Sequence, residues 1–145
     1  MGSVRAAAAD DRFRVERFGG RLVAARVQRL ARPEDVDAYA QAFVRLGEIA
    51  EPVLLADHRP VRIYTQPIAD SLTELFKSLN RRWFRVAIVV SFTNATLAMQ
   101  LQRIVRESVN PSRRVFFEAD GALTFLGEVL TPAEVDSARG FLAPR

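Results

Sequence analysis

Cysteine is absent from the chain, and histidine and lysine occur once each, as His58 and Lys77. Without cysteine there can be no disulfide, no thiolate metal site and no cysteine nucleophile. With one histidine, a multi-histidine metal site is impossible, and a Ser-His-Asp triad would have to use His58. These absences lead us to expect no metal and no cofactor. Long hydrophobic runs are missing too: nothing approaches the roughly 18 apolar residues of a membrane-spanning helix. There is no internal repeat and no low-complexity linker.

What remains is ordinary for a globular chain. It has 145 residues, 49% hydrophobic and 26% charged, with a formal net charge of +4. That length suits one domain with its own core. The opening MGSVRAAAADD turns acidic too soon to read as a signal peptide. It reads as a loose tail over residues 1–11, with the domain over 12–145. A cytoplasmic home is the matching expectation. The positive charge comes from arginine, which is spread along the chain from Arg5 to Arg145. Nucleic-acid binding needs such charges gathered on one face, so that partner is not expected.

The order of elements is readable from periodicity. FRVERFGGRLVAARVQRL holds two extended stretches, 12–18 and 21–29, around Gly19-Gly20, which is a hairpin signal. In RPEDVDAYAQAFVRLGEIA, Pro33 suits a first helical position. Val36, Tyr39, Ala40, Phe43, Leu46 and Ala50 then form a stripe at helical spacing, which Pro52 ends. VLLA (53–56) is apolar throughout, as a strand covered on both faces should be. A second helix is expected from Pro67 to Leu79, with Ile68, Leu72, Leu75, Phe76 and Leu79 inward. RVAIVVSF (85–92) is the clearest strand. TNATLAMQLQRIVRESV makes a third helix on Leu97, Leu101, Ile104 and Val105. RRVFFEA (113–119) is a further strand, Asp120 caps a short helix, and TPAE (131–134) is a capping box opening a last helix. Strands alternating with helices imply parallel crossovers, hence an α/β domain with a mixed sheet, an N-terminal hairpin and four to five helices.

In this order and texture the chain resembles the STAS-like, or SpoIIAA-like, family, related to anti-sigma-factor antagonists. The segments that carry the likeness are GGRLVAARVQRL, RPEDVDAYAQAF, VLLADHR, RRWFRVAIVVSF and TLAMQLQRIVRESVNPSRRVFFEADGALTFLGEVL, together about residues 12–130. The resemblance implies a mixed sheet with helices on one main face, in a cytoplasmic or membrane-peripheral protein without enzyme activity. In the antagonist branch the function is partner binding. It is switched by phosphorylating a Ser or Thr at the start of the helix after the third strand. The usual acidic-Ser-Ser/Ala-Gly signature is missing. The nearest candidates for modification are Thr65 and Ser71.

The charged joint ADHRPVRIYTQP is where function is expected. A receiver-type phosphoacceptor at Asp57 would need an acidic pair and a lysine that the chain lacks in the right places. An Asp57-His58 dyad is disfavoured because adjacent residues on an extended chain point opposite ways. No G-x-S-x-G elbow is present. The remaining expectation is a non-catalytic regulatory or scaffolding module that binds a protein partner at the carboxyl ends of the strands, through the 57–65 loop and the helix that follows it, with Asp57, His58, Arg59, Arg62, Tyr64 and Thr65 as contact residues. In the competing structural reading, His58 and Arg59 are solvated while Val61 and Ile63 pack inward. The alternative function is binding of a lipid or phosphorylated metabolite in a deep pocket under the second helix. Trp83 and Phe84 read as a lid on the core, and Met99 as exposed. Monomer and homodimer are both open.

Overall fold

The computed structural model describes residues 7–79, 82–108 and 112–144. Six strands form one sheet in chain order, β1 (Ala7–Ala9), β2 (Phe13–Arg17), β3 (Leu22–Val27), β4 (Val53–Asp57), β5 (Arg85–Val89) and β6 (Arg113–Phe116). The first three strands pair antiparallel and β3 through β6 pair parallel. Five helices accompany them: α1 (Pro33–Val44), α2 (Gln66–Leu79), α3 (Ala95–Glu107), α4 (Ala119–Gly127) and α5 (Pro132–Leu142). The α/β class, the mixed sheet, the leading hairpin and the five helices all match the sequence expectation.

Helices cover both faces, not one. Val36, Tyr39 and Phe43 of α1, Leu72 of α2 and Leu101 of α3 pack with Val23, Leu54 and Ile88 on one side. Ala122 and Leu126 of α4 and Phe141 of α5 pack with Leu22, Leu55 and Val89 on the other. Alternation along each strand produces this division. Parallel strands taken in chain order put all three crossover helices on a single face. The last two helices, which connect no strands, fold back over the opposite face and remove it from water.

Several local boundaries differ from the expected ones. Strand β5 ends at Val89, short of the expected Phe92, and β6 ends at Phe116, short of the expected Ala119, which instead opens α4. Ala7–Ala9, within the segment expected to be a tail, forms a strand against Arg14–Glu16. Residues 1–6 lie outside the described residues. Helix α1 ends at Val44 and does not reach Ala50: Gly47 takes φ +80°, which breaks the helical path, and Ala50 is exposed. Asp120 lies inside the first turn of α4, whose cap position is Glu118.

The hairpin and the last helix lock together. Gly20 has φ +80°, and a Cβ placed there would lie 2.6 Å from Glu134 Oε2. That carboxylate closes the expected capping box, accepting from Thr131 N at 2.9 Å, while Thr131 Oγ1 accepts from Glu134 N at 3.2 Å. Its other oxygen accepts from Arg21 N at 2.9 Å, so one buried glutamate caps α5 and fixes the turn between β2 and β3.

Candidate functional site

The charged joint begins where β4 ends. Asp57 and His58 are consecutive in an extended segment and project to opposite faces, as the alternation of a strand requires. Asp57 meets α5, and His58 enters the core beneath α1, α2 and α3.

On the α5 side, register places Arg26 of β3 beside Asp57. Arg26 Nε donates to Asp57 Oδ2 at 2.9 Å. Arg59 Nε donates to Oδ1 at 2.9 Å and Arg59 Nη2 to Oδ2 at 3.0 Å, while Arg59 N donates to Oδ1 at 3.0 Å. Asp57 is 1% exposed. Burial alone would raise its pKa, but the bonds from Arg59 and Arg26 outweigh it and hold the carboxyl below its ordinary value. The same guanidiniums reach the end of α5. Arg26 Nη2 donates to the Phe141 carbonyl, and Arg59 Nη2 donates to the Leu142 carbonyl at 2.9 Å. Arg26 also stacks on the Phe141 ring, 4.5 Å from its centre. Cations at the last carbonyls of a helix complement its dipole.

On the other face, His58 is fully buried and its Nδ1 lies 2.7 Å from Tyr64 Oη. The two rings meet edge to face. Nε2 has no hydrogen-bond partner, and desolvation lowers the pKa to about 4 against the raising influence of Asp57. His58 is therefore neutral at physiological pH. Burial also raises the Tyr64 hydroxyl well above its usual range.

The loop from His58 to Thr65 is pinned at both ends of its span. Val61 N donates to the His58 carbonyl at 3.0 Å, closing a turn. Asn94, which caps α3 by accepting from Leu97 N, donates through Nδ2 to the Arg62 carbonyl at 2.6 Å. Gln100 makes a paired contact with the Tyr64 main chain: Tyr64 N donates to Oε1 at 3.0 Å and Nε2 donates to Tyr64 O at 2.8 Å. Polar groups of the loop backbone are thereby satisfied by α3, and the loop side chains are held in place.

Burial sorts the expected contact residues. Asp57, His58 and Tyr64 are buried, so a partner cannot touch them and their role is to position the loop. His58 is not solvated as the structural reading had it, because its ring fills the core beside Tyr64. Arg59 is partly exposed, with its guanidinium committed to Asp57 and Leu142. Arg62 and Thr65 are exposed. Thr65 directly precedes α2, and its carbonyl accepts from Ala69 N at 2.9 Å. Ser71 is half-buried inside the helix.

Val61 packs inward as expected, but Ile63 does not. It is 57% exposed, along with Phe92 at 77% and Met99 at 69%. Phe92 follows β5, two residues before Asn94, and Met99 lies on α3 next to Gln100, so both adjoin in sequence the residues that bond the pinned loop. Sequence reasoning identified Met99 but not Phe92. The signal available was its position just beyond a buried strand, where the chain leaves the sheet.

The chemistry available is limited. His58 spends Nδ1 on Tyr64, and Ser91 Oγ pairs with Thr93 Oγ1 at 2.9 Å, so the imidazole and the Ser91 hydroxyl are not bonded to each other. Among the described residues no group of His, Asp or Glu side chains is arranged to hold a metal ion. The cavity between α2 and α3 is about 70 Å³, which does not provide the deep pocket expected under the second helix. Trp83 is buried against Phe43, while Phe84 is 42% exposed under the Arg21 guanidinium. Among the described residues no helix is long and apolar enough to cross a membrane.

No protein-family model matches the chain, and neither curated proteins nor solved structures give a match.

Proposed function

We propose that this chain is a non-catalytic regulatory or scaffolding module that binds a protein partner at the carboxyl edge of its parallel strands. Its gripping surface is the pinned 58–65 loop together with the start of α3. The carrying observation is that the three most exposed large apolar side chains among the described residues, Phe92, Met99 and Ile63, lie on the hydrogen-bonded loop or beside the residues of the β5–α3 segment that bond it, with Arg62 exposed next to Ile63. A rigid apolar rim beside a guanidinium suits a partner that offers an apolar pocket edged by carboxylates. Burying each of the three would contribute roughly 2 kcal/mol before the cost of association.

A STAS-like, SpoIIAA-like lineage is part of the proposal, supported by the hairpin-led sheet and its helical crossovers. That lineage would make Thr65 the position for a phosphate switch, since it is exposed directly before α2, whereas Ser71 is inside the helix. The decisive experiment is quantitative affinity capture from the native cell with wild type and with Ile63→Ser/Phe92→Ser/Met99→Ser. The exposed substitutions should leave the circular dichroism spectrum unchanged and remove one or a few specific proteins. If the variant captures the same set as wild type, the docking surface lies elsewhere.

A further inference from the structure

A cavity of about 610 Å³ opens at the same sheet end as the charged joint, lined in part by Arg14, Arg26, Gln28, Asp57 and Arg59. Its donors and acceptors are unevenly spent. Asp57 receives four hydrogen bonds, two on each oxygen. Asp10, the other carboxylate of the lining, is clasped by Arg12, with its Oδ2 2.7 Å from Nη2 and its Oδ1 2.7 Å from Arg12 N. Neither acid has much capacity left to accept. The guanidiniums are different. Arg26 uses Nε and Nη2, Arg59 uses Nε and Nη2, and Arg14 uses Nη2 toward Glu16, so among the described residues the Nη1 group of each makes no hydrogen bond. None of these Nη1 atoms is among the dry, unpartnered buried atoms of the chain. They are open donors on a cavity wall.

We infer that this cavity is a binding site for a small organic anion, one carboxylate or phosphate group carried on a short apolar body. The anionic group takes the free guanidinium donors of Arg14, Arg26 and Arg59, whose planar forks match carboxylate and phosphate oxygens. The apolar body rests on Phe13, Pro60 and Pro144, which also line the cavity. Asp57 is essential to the arrangement without touching the ligand. It holds two of the three guanidiniums in fixed orientation, so little side-chain freedom is lost on binding. The cavity shares Arg59 and Pro60 with the proposed docking loop, but Ile63, Phe92 and Met99 do not line it, so anion binding and protein capture can fail independently.

Phenyl phosphate, benzoate and the neutral probe phenol distinguish the outcomes when titrated into the full chain by calorimetry. At least one anionic probe should bind with a dissociation constant in the millimolar range or below, and phenol should not. A preference between the two anions identifies the headgroup. Arg14→Gln and Arg59→Gln should each weaken the bound anion by about tenfold, the loss of one charge-assisted hydrogen bond, while Arg106→Gln, at an exposed position on α3 away from the cavity lining, leaves it unchanged. Amide shifts in wild type on titration should centre on Arg14, Arg26, Gln28 and Arg59, a readout that stands even if a variant fails to fold. Absence of binding by both anions, binding indifferent to Arg14→Gln and Arg59→Gln, or shifts centred elsewhere would overturn the inference.

Discussion

The stability of this protein should depend on pH through its only histidine. His58 is fully buried, bonded to Tyr64 through Nδ1, and its pKa falls from 6.5 to about 4. In the unfolded chain the same imidazole takes up a proton as the pH drops below about 6.5. Between these two values the unfolded state holds one more proton than the native state, so stability rises with pH and is lost on acidification. Each unit of difference is worth about 1.4 kcal/mol, so going from pH 7 to pH 4 should remove about 3 kcal/mol. That is a large share of the 5–15 kcal/mol or so typical of a domain.

Urea unfolding at several pH values between 7 and 4 measures this directly. Down to about pH 4.5 the window belongs mainly to His58: no second histidine titrates in it, and the contribution of Asp10, Asp35 and Asp57, whose pKa values are lowered, is lost chiefly below that, as the unfolded carboxyls take up protons. The comparison is His58→Leu/Tyr64→Phe, which removes both members of the buried pair and leaves no orphaned hydroxyl. Wild type should lose stability steadily while the double variant stays nearly flat down to pH 4.5. A wild-type loss below about 1 kcal/mol, or an equal slope in the double variant, would refute the reasoning that a buried neutral imidazole sets the acid limit.

Two further outcomes follow from the geometry. Gly20→Ala combines a left-handed φ of +80° with a Cβ 2.6 Å from Glu134 Oε2, and should cost at least about 1–2 kcal/mol in urea unfolding, since either fault alone is unfavourable. Gln100→Leu deletes both bonds to the Tyr64 main chain; amide exchange at Tyr64 should accelerate, with a global stability loss of about 1–3 kcal/mol, while amides in β4 keep their protection.

Much of the fold was legible because its signals are local. The Gly-Gly turn, the apolar VLLA run, the helical stripes and the T-P-A-E cap each depend on spacing within a few residues. β1 was not, because three alanines carry no alternation and gain their strand conformation only from pairing with β2. The end of α1 was misjudged for a related reason: Leu46 is buried and continues the stripe, so only the backbone of Gly47 reveals the break. At the site, alternation correctly separated Asp57 from His58. It could not tell which face each would meet. The Arg26–Asp57 pair depends on the register of two strands distant in sequence, and the Arg59–Leu142 contact depends on where α5 ends. Contacts of this kind are set by tertiary packing, which leaves no local periodic trace.

The separation of Asp57 from His58 also supports the non-catalytic reading proposed above. Catalysis by an Asp-His pair needs the carboxylate to orient the imidazole and the imidazole to face a substrate. Here the sheet lies between them. Asp57 is saturated by arginine and main-chain donors, and His58 is neutral, dry and bonded to a tyrosine. Each residue anchors its own face: Asp57 fixes the guanidiniums at the end of α5, and His58 bonds Tyr64, which directly precedes Thr65 and α2 and whose main chain is held by Gln100 of α3. The side chains left accessible are those the anchors hold in place, the arginine donors on one side and the apolar rim on the other. Recognition benefits from such rigidity because fewer rotamers are lost on binding. On the proposed function, the polar groups of the joint serve to hold a recognition surface still.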